Sequence, residues 1–196
     1  MKKRAFADVL RTEWDGQVER IDPMTMPMMR LVNTALDGVS VEPQAVKEDI
    51  VRFAGTDMLC YRADAPQGLV DRQRLQWDPV LDWAETRLGA RFVLAEGVMH
   101  VAQPAESIAA FGIHVGGVND PLELSSLHVV TSLTGSAILA MAVLMGQLNC
   151  DEAWTKAHLD EDWNIEQWGR DEEAEARRAH RYKDMQAACL VLEAAA

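Results

Sequence analysis

Residues 124–150 read LSSLHVVTSLTGSAILAMAVLMGQLNC and contain no Asp, Glu, Lys or Arg. A run of this length suits a helix that crosses a bilayer, which needs roughly 20 apolar residues. It also suits central helices that other helices surround. Lipid would penalise the polar side chains inside the run, His128 and Gln147 among them, and no cluster of Lys or Arg flanks either end. The composition therefore favours buried helices, and membrane association is the weaker alternative.

The start of this uncharged run carries several helix signals. Asp120 can accept the free N–H groups of a first turn, and Pro121 suits the first helical position. Glu123 suits the positive end of the helix dipole. Gly135 is expected to bend or divide the run, because glycine is costly inside a helix. We therefore predict that residues 119–150 form buried central helices.

Patterns elsewhere predict further helices and one extended segment. Apolar residues at three- and four-residue spacing indicate a helix from Lys3 to about Gln17. Proline, glycine and capping residues bound several others. These predictions are Thr25 as an N-cap before Pro27, a start at Pro43 with a stop at Gly55, a start at Asp78-Pro79 with a stop at Gly89, an extended segment from Phe92 to Val101, and a modest helix from Pro104 to His114. The piece DMLCYRA, residues 57–63, fits a helix or a strand equally well.

The C-terminal segment, residues 151–194, is predicted to form one or two long charged helices. Glu173 with Arg177, and Glu175 with Arg178, are correctly spaced for ion pairs on a helix surface. The sequence has no internal repeat and no low-complexity linker. Residues 1–196 are therefore predicted to form a single globular domain of the all-α (mainly α) class.

Large apolar side chains outside the uncharged run are expected to pack in the core. Trp14, Trp77 and Trp83 each have apolar neighbours at helical spacing. The methionine-rich segment 24–29 could line an adaptable surface, since methionine repacks easily. Core or turn packing is the favoured interpretation of that segment.

The composition excludes some classes of partner. The formal net charge of −12 argues against nucleic acid, whose phosphates require Lys and Arg, and against anionic membrane surfaces. It allows a basic protein partner. Cys60, Cys150 and Cys189 are odd in number and far apart, as expected for reduced intracellular thiols. The N-terminal MKKRAFADVL is basic but lacks the long apolar core of a secretory signal.

No arrangement of residues in the sequence indicates catalysis or a metal site. The histidines occur singly, and neither an HExxH nor a CxxC pattern is present. No serine lies in a GxSxG elbow. The run from His158 to Asp162 could hold a cation loosely, but a solvated connection between helices is the more ordinary interpretation. The residues alone predict a helical domain and leave its function open.

Several separated blocks carry a resemblance to a known family. In order they are RAFADVLRTEWDGQ, IDPMTMPMMRLVNTALDGV, TDMLCYRAD, QWDPVLDWAETRLGARF, SLTGSAILAMAVLMGQL and EQWGRDEEAEARR. Together they resemble the assembly chaperones that hold the alpha subunit of the F-type ATP synthase in mitochondria and alphaproteobacteria. The resemblance extends over nearly the whole chain. Members of that family usually carry a small β-rich domain before the first block, so we expect that domain to be absent from this chain.

The resemblance implies a chaperone without enzymatic activity and without a cofactor. Such a protein would bind the free alpha subunit, cover the surface that later contacts the beta subunit, and leave when beta takes its place. An exposed apolar interface otherwise tends to associate wrongly. We expect a monomer that does not insert into membranes or bind nucleic acid. It would be cytoplasmic in a bacterium and would lie in the mitochondrial matrix in a eukaryote.

The resemblance also points to the partner-binding residues in WGRDEEAE. Trp168 and Gly169 match the family's Trp-Gly pair, and Glu172 lies four residues after the tryptophan, where the family has a functionally important glutamate. Asp171 and Glu173 are included, because an offset of one residue is possible. Two structural alternatives are open: Trp168 could be a core residue, and Glu172 could cap or pair within its own helix.

A different class of function is the main competing hypothesis. An α-helical small-molecule-binding protein or enzyme would have a deep polar pocket near the central helices, beside Gly135, with perturbed titrating groups. A chaperone would instead present an exposed face that is both acidic and apolar. The two hypotheses therefore predict different surfaces.

Overall fold

The structure is a computed structural model that describes residues 2–97 and 101–195. Within these ranges ten α-helices account for most of the chain. Their bounds are α1 Lys2–Asp15, α2 Pro27–Thr34, α3 Pro43–Ala54, α4 Gln67–Trp83, α5 Ala105–Gly116, α6 Pro121–Thr134, α7 Ala137–Leu144, α8 Cys150–Ala157, α9 Leu159–Trp168 and α10 Glu172–Ala195. The mainly α fold class predicted from the sequence is therefore confirmed.

Short irregular turns extend or connect these helices. Five-residue π-helical turns continue α2 through Ala35–Val39 and α4 through Ala84–Leu88. Single 3₁₀ turns form at Pro23–Thr25 and Met58–Cys60. The helix stop predicted at Gly89 is confirmed, since this glycine takes the left-handed conformation with φ 67°.

Helices α6 and α7 lie at the centre of the molecule. Asp120 accepts hydrogen bonds from the N–H groups of Leu122 and Glu123, as its predicted capping role requires. Gly135, at φ 67°, ends α6, and Ser136 begins α7 by accepting the N–H of Leu139. Every residue of α7 except its last is buried. Helix α10 packs along α6, and α3, α2 and α8 complete the enclosure.

Across the described ranges, none of the helices is both long enough and apolar enough to cross a membrane. The uncharged run is divided at Gly135 into two separate helices. Each half packs against other helices of the same domain.

Two short strands resolve the segments whose conformation the sequence left open. The DMLCYRA piece forms the 3₁₀ turn and then the strand β1, Tyr61–Arg62. Strand β2, Ala95–Glu96, pairs with β1 in parallel, with Tyr61 opposite Ala95. The extended segment predicted from Phe92 thus includes a strand, and its residues 98–100 lie outside the described part of the chain.

Two predicted helix starts were wrong. The Asp78-Pro79 pair does not begin a helix, because Pro79 lies inside α4. The Asp78 carboxylate instead pairs with the buried guanidinium of Arg62 at 2.8 Å. Thr25 does not cap α2 but donates its hydroxyl to the Asp22 carbonyl. Asp22 caps the preceding turn by accepting the N–H of Met24.

The apolar side chains largely pack as expected. Trp77 and Trp83 are buried, and Trp77 donates its indole N–H to the Lys156 carbonyl at 2.9 Å. Met26 and Met28 are also buried. The prediction for Trp14 was wrong, since 46% of it is exposed on α1. Helix α1 packs mainly against α2 at the periphery of the domain, so one side of α1 is exposed to solvent.

Asp57 joins two parts of the core that are distant in sequence. One carboxylate oxygen accepts the N–H of Leu59 at 3.1 Å, and the other accepts the N–H of Ile138 in the first turn of α7 at 3.0 Å. The residue is fully buried. Removal from water raises the pKa of this carboxyl from 3.8 to about 6, although its hydrogen bonds act in the opposite direction. The carboxyl therefore titrates near neutral pH.

We expect Asp57 to make stability depend on pH. Its folded pKa lies above the unfolded value, so its contribution is fully present below the unfolded pKa and is lost as pH rises through the folded pKa. Between pH 5 and 7.5 this loss amounts to about 1 kcal/mol of unfolding free energy. His158 opposes it over the same window, because burial lowers the pKa of its imidazole. Urea unfolding of the wild type and of Asp57→Asn at both pH values measures how much of the pH dependence of stability comes from Asp57. Equal pH dependence of the two proteins would contradict the prediction.

Candidate partner-binding site

The site residues predicted from the sequence lie at the corner between α9 and α10. Helix α9 ends at Trp168, and Gly169 follows at φ 92°, donating its N–H to the Ile165 carbonyl at 2.9 Å. Asp171 caps α10 by accepting the N–H groups of Glu173 and Ala174 at 2.9 and 3.0 Å. These bonds hold the pKa of the Asp171 carboxyl below its usual range. We call residues 168–173 the acidic corner.

The C-terminal segment forms three helices rather than the one or two predicted, with breaks at His158 and at Gly169. The positive φ of Gly169 interrupts the chain between α9 and α10, and side chains with a Cβ rarely take that conformation. Helix α10 then leaves the corner to pack mainly along α6, and near the corner the Arg178 side chain reaches α9 and forms an ion pair with Asp162. The predicted pair of Arg178 with Glu175 was therefore wrong, and Glu175 pairs with Arg170 instead.

Trp168 is 86% exposed, so its interpretation as a core residue was wrong. The indole lies at the C-terminal end of α9, where it has no share in the buried core. An exposed tryptophan is uncommon on a surface without a partner, and tryptophan is enriched among the residues that contribute most to protein interfaces. Its position is thus consistent with the predicted role as an anchor.

The three acids of the corner have different partners. Asp171 supplies the cap, and Glu173 pairs with Arg177 as predicted. Glu172 is exposed at the first position of α10. Its side chain has no hydrogen bond or ion pair within the described residues, so the alternative of a capping or paired Glu172 is not what the structure shows. Of the three, Glu172 is the carboxylate available to a partner.

A shallow groove of about 190 Å³ opens beside the acidic corner. The end of α9 and the beginning of α10 both line it, because the two helices meet at this corner. The lining residues are Glu161, Asn164, Ile165, Trp168, Gly169, Asp171, Ala174, Glu175 and Arg178. Ile165 and Ala174 were not predicted as part of the site, because their proximity depends on the turn at Gly169.

Contacts with α4 fix the position of α9. Arg72 makes a two-pronged pair with Glu166, with both N···O distances at 2.8 Å, and this pairing lowers the pKa of the Glu166 carboxyl. The same guanidinium lies 5.1 Å from the centre of the Trp163 ring. Gly68 in the first turn of α4 lies against the edge of that ring. Trp168 is thus carried on a helix that is held at a defined place.

Gly68→Ala is expected to lower the free energy of unfolding by about 1 kcal/mol, through overpacking. A Cβ at this position would lie 2.8 Å from Trp163 Cη2, so the indole must move. Gly112→Ala is the matched control, since its Cβ would meet Val51 at an ordinary 3.7 Å inside α5. Urea unfolding of both variants measures the difference. Equal stability of the two variants would contradict the close contact of Gly68 with Trp163.

The space beside Gly135 is filled. The Gly135 carbonyl accepts the N–H of Met58 at 3.2 Å, and the Met58 side chain lies 4.0 Å from where a Cβ would be. A groove of about 260 Å³ does open on the surface where α2, α6 and α10 meet. Across the ranges that the structure describes, no group of three or more His, Cys, Asp and Glu side chains is placed to hold a metal.

Comparison with known protein families gives a match over the first part of the chain. The family model described as ATP12 chaperone protein matches residues 1–85. Among curated proteins, the mitochondrial protein atp12 of Schizosaccharomyces pombe is 24% identical over an alignment of 179 residues, and the match covers 86% of this chain. The chain spans only 61% of the length of that relative.

Solved structures extend the similarity over the entire fold. The Atu1473 protein of Agrobacterium tumefaciens matches with a TM-score of 0.92 and 59% identity, over 97% of this chain and 71% of that one. Atp12 from Paracoccus denitrificans matches with a TM-score of 0.89 and 36% identity, over 100% of this chain and 84% of that one. An aspartate-to-lysine variant of the Paracoccus protein has the same TM-score and identity.

Proposed function

This chain belongs to the ATP12 chaperone family, and we propose that it is a chaperone of ATP synthase assembly that binds the free alpha subunit. In this function it covers the alpha surface that contacts the beta subunit until beta replaces it. The proposal rests on family membership together with one observation on the surface. That observation is the acidic corner, where Trp168 and Glu172 are both exposed and neither has a described bonding partner.

The acidic corner supplies the two kinds of contact that a temporary holder of a subunit needs. Trp168 offers a large, rigid apolar surface, which contributes strongly to binding once a partner covers it. Glu172 offers a negative charge to a Lys, Arg or N–H group of the partner, which favours the correct partner and orientation. Release requires only that the alpha subunit bind beta more tightly than it binds the chaperone.

The proposed function needs no catalysis, nucleotide or cofactor. Exchange of one partner for another follows from differences in affinity. The compartment follows from where ATP synthase is assembled: the cytoplasm of a bacterium or the matrix of a mitochondrion. The similar Schizosaccharomyces pombe protein carries the description mitochondrial. We also propose that the chain acts as a monomer.

Co-expression of the tagged chain with the alpha subunit or the beta subunit, each alone, tests the proposal. Affinity capture should recover alpha in stoichiometric amounts and should not recover beta. Competition provides a second test: beta added to the captured complex should release the chain from alpha. Capture of beta alone, or of neither subunit by a folded chain, would contradict the proposed function.

A further inference from the structure

We propose that the groove beside the acidic corner binds one large apolar side chain that lies next to a Lys or Arg in the partner's sequence. This inference rests on the proposed function, because it takes the alpha subunit as the partner. It goes further in assigning a docking position and the kind of segment that fits it.

Apolar side chains from both helices line the groove. Ile165 on α9 and Ala174 on α10 face it from two sides, and the exposed indole of Trp168 borders it. The volume of about 190 Å³ is suited to one leucine-, methionine- or phenylalanine-sized side chain. Filling it would remove apolar surface from water on both partners.

Three arginines near the groove already pair with acidic side chains. The pairs are Arg170 with Glu175, Arg177 with Glu173, and Arg178 with Asp162. These pairs leave no basic side chain of the corner unpaired.

Three carboxylates near the groove form no ion pair with a lysine or arginine within the described residues. Asp171 is bonded only to N–H groups of its own helix, and Glu172 has no described partner. Glu161 lies 3.9 Å from His158. Burial lowers the pKa of His158, so this imidazole is neutral at neutral pH and does not offset the charge of Glu161.

The apolar groove is therefore bordered by uncompensated negative charge, and the complementary segment carries positive charge beside its apolar side chain. An apolar side chain flanked by acidic residues would be repelled. A wholly apolar segment would leave the three carboxylates without compensation. This charge pattern therefore favours a partner segment that is both basic and apolar.

Filling the groove from the chaperone side tests the inference. Ala174→Trp places an indole in the groove, and Ala174→Leu fills less of it. Ala179→Trp is the matched control, since Ala179 is also exposed on α10 but does not line the groove. The probe is the alpha subunit, titrated against each purified variant, with helicity and thermal unfolding measured in parallel.

We expect the dissociation constant for alpha to rise about tenfold or more for Ala174→Trp, and by less for Ala174→Leu. Ala179→Trp should stay within about twofold of the wild type. Unchanged binding by a folded Ala174→Trp, while Glu172→Lys loses binding, would overturn the groove inference and leave the proposed function standing. A wild-type chain that binds no alpha would overturn the proposed function and this inference together.

Discussion

Glu172→Lys is expected to weaken binding of the alpha subunit by about 30-fold or more, which corresponds to roughly 2 kcal/mol. The change replaces the one corner carboxylate without a described partner by a positive charge, and a basic partner group would then meet a like charge. No hydrogen bond or ion pair of the fold is broken by it within the described residues. Binding is measured by titration of alpha, and folding by circular dichroism and thermal unfolding.

Glu106→Lys is the matched control for this experiment. Glu106 is also an exposed acid in the first turn of a helix, α5. Both substitutions place a lysine at the positive end of a helix dipole, so both should cost stability equally, by a few tenths of a kcal/mol. Equal loss of alpha binding by the two variants would mean that net charge matters and the position does not. If Glu172→Lys lost helicity in parallel with alpha binding, misfolding would explain the loss of binding.

Asp57→Ala is expected to lower the free energy of unfolding by about 3 kcal/mol. The substitution removes the acceptor of the Leu59 N–H and of the Ile138 N–H, and both groups are buried. A buried donor without an acceptor carries the full cost of its desolvation. Helix α7 would also lose the carboxylate at its first turn. Urea unfolding at pH 7.5 measures the loss.

Asp22→Ala is the matched control for Asp57→Ala. Asp22 accepts the N–H two residues ahead in a 3₁₀ turn, as Asp57 does, but Asp22 is exposed. Water can replace its carboxylate, so the expected loss is about 1 kcal/mol or less. Similar losses in the two variants would show that burial of Asp57 adds nothing to the cap. Asp57→Asn should lie between wild type and Ala, because one amide oxygen can still accept.

Helix boundaries marked by short-range chemistry could be predicted from the sequence. Asp120 with Pro121, the stop at Gly89 and the division at Gly135 depend only on the backbone preferences of adjacent residues. The start at Asp78-Pro79 was wrong, although its local signal was just as strong. There the helix has already begun at Gln67, and the Asp78 carboxylate pairs with Arg62, sixteen residues earlier, instead of capping a helix.

Some features of the candidate site could likewise be predicted from the sequence, and others could not. Resemblance to a family could place Trp168 and Glu172 at one point of the chain, and the spacing of Glu173 with Arg177 is a local property. The groove could not be predicted, since it depends on the angle at which α9 and α10 meet after Gly169. The role of Asp57 was missed because a single aspartate in DMLCYRA carries no signal of its distant partner, Ile138.

Asp171 and Glu172 separate two roles that a single interface residue often combines: stabilising the fold and offering a charge to a partner. Asp171 holds the beginning of α10, whereas Glu172 takes no part in the described bonding of the fold. We therefore expect substitutions at 172 to change how long a client stays bound, with only a small change in the melting temperature. Under the proposed function, affinity for the subunit could be adjusted at this position one step at a time while the fold is kept.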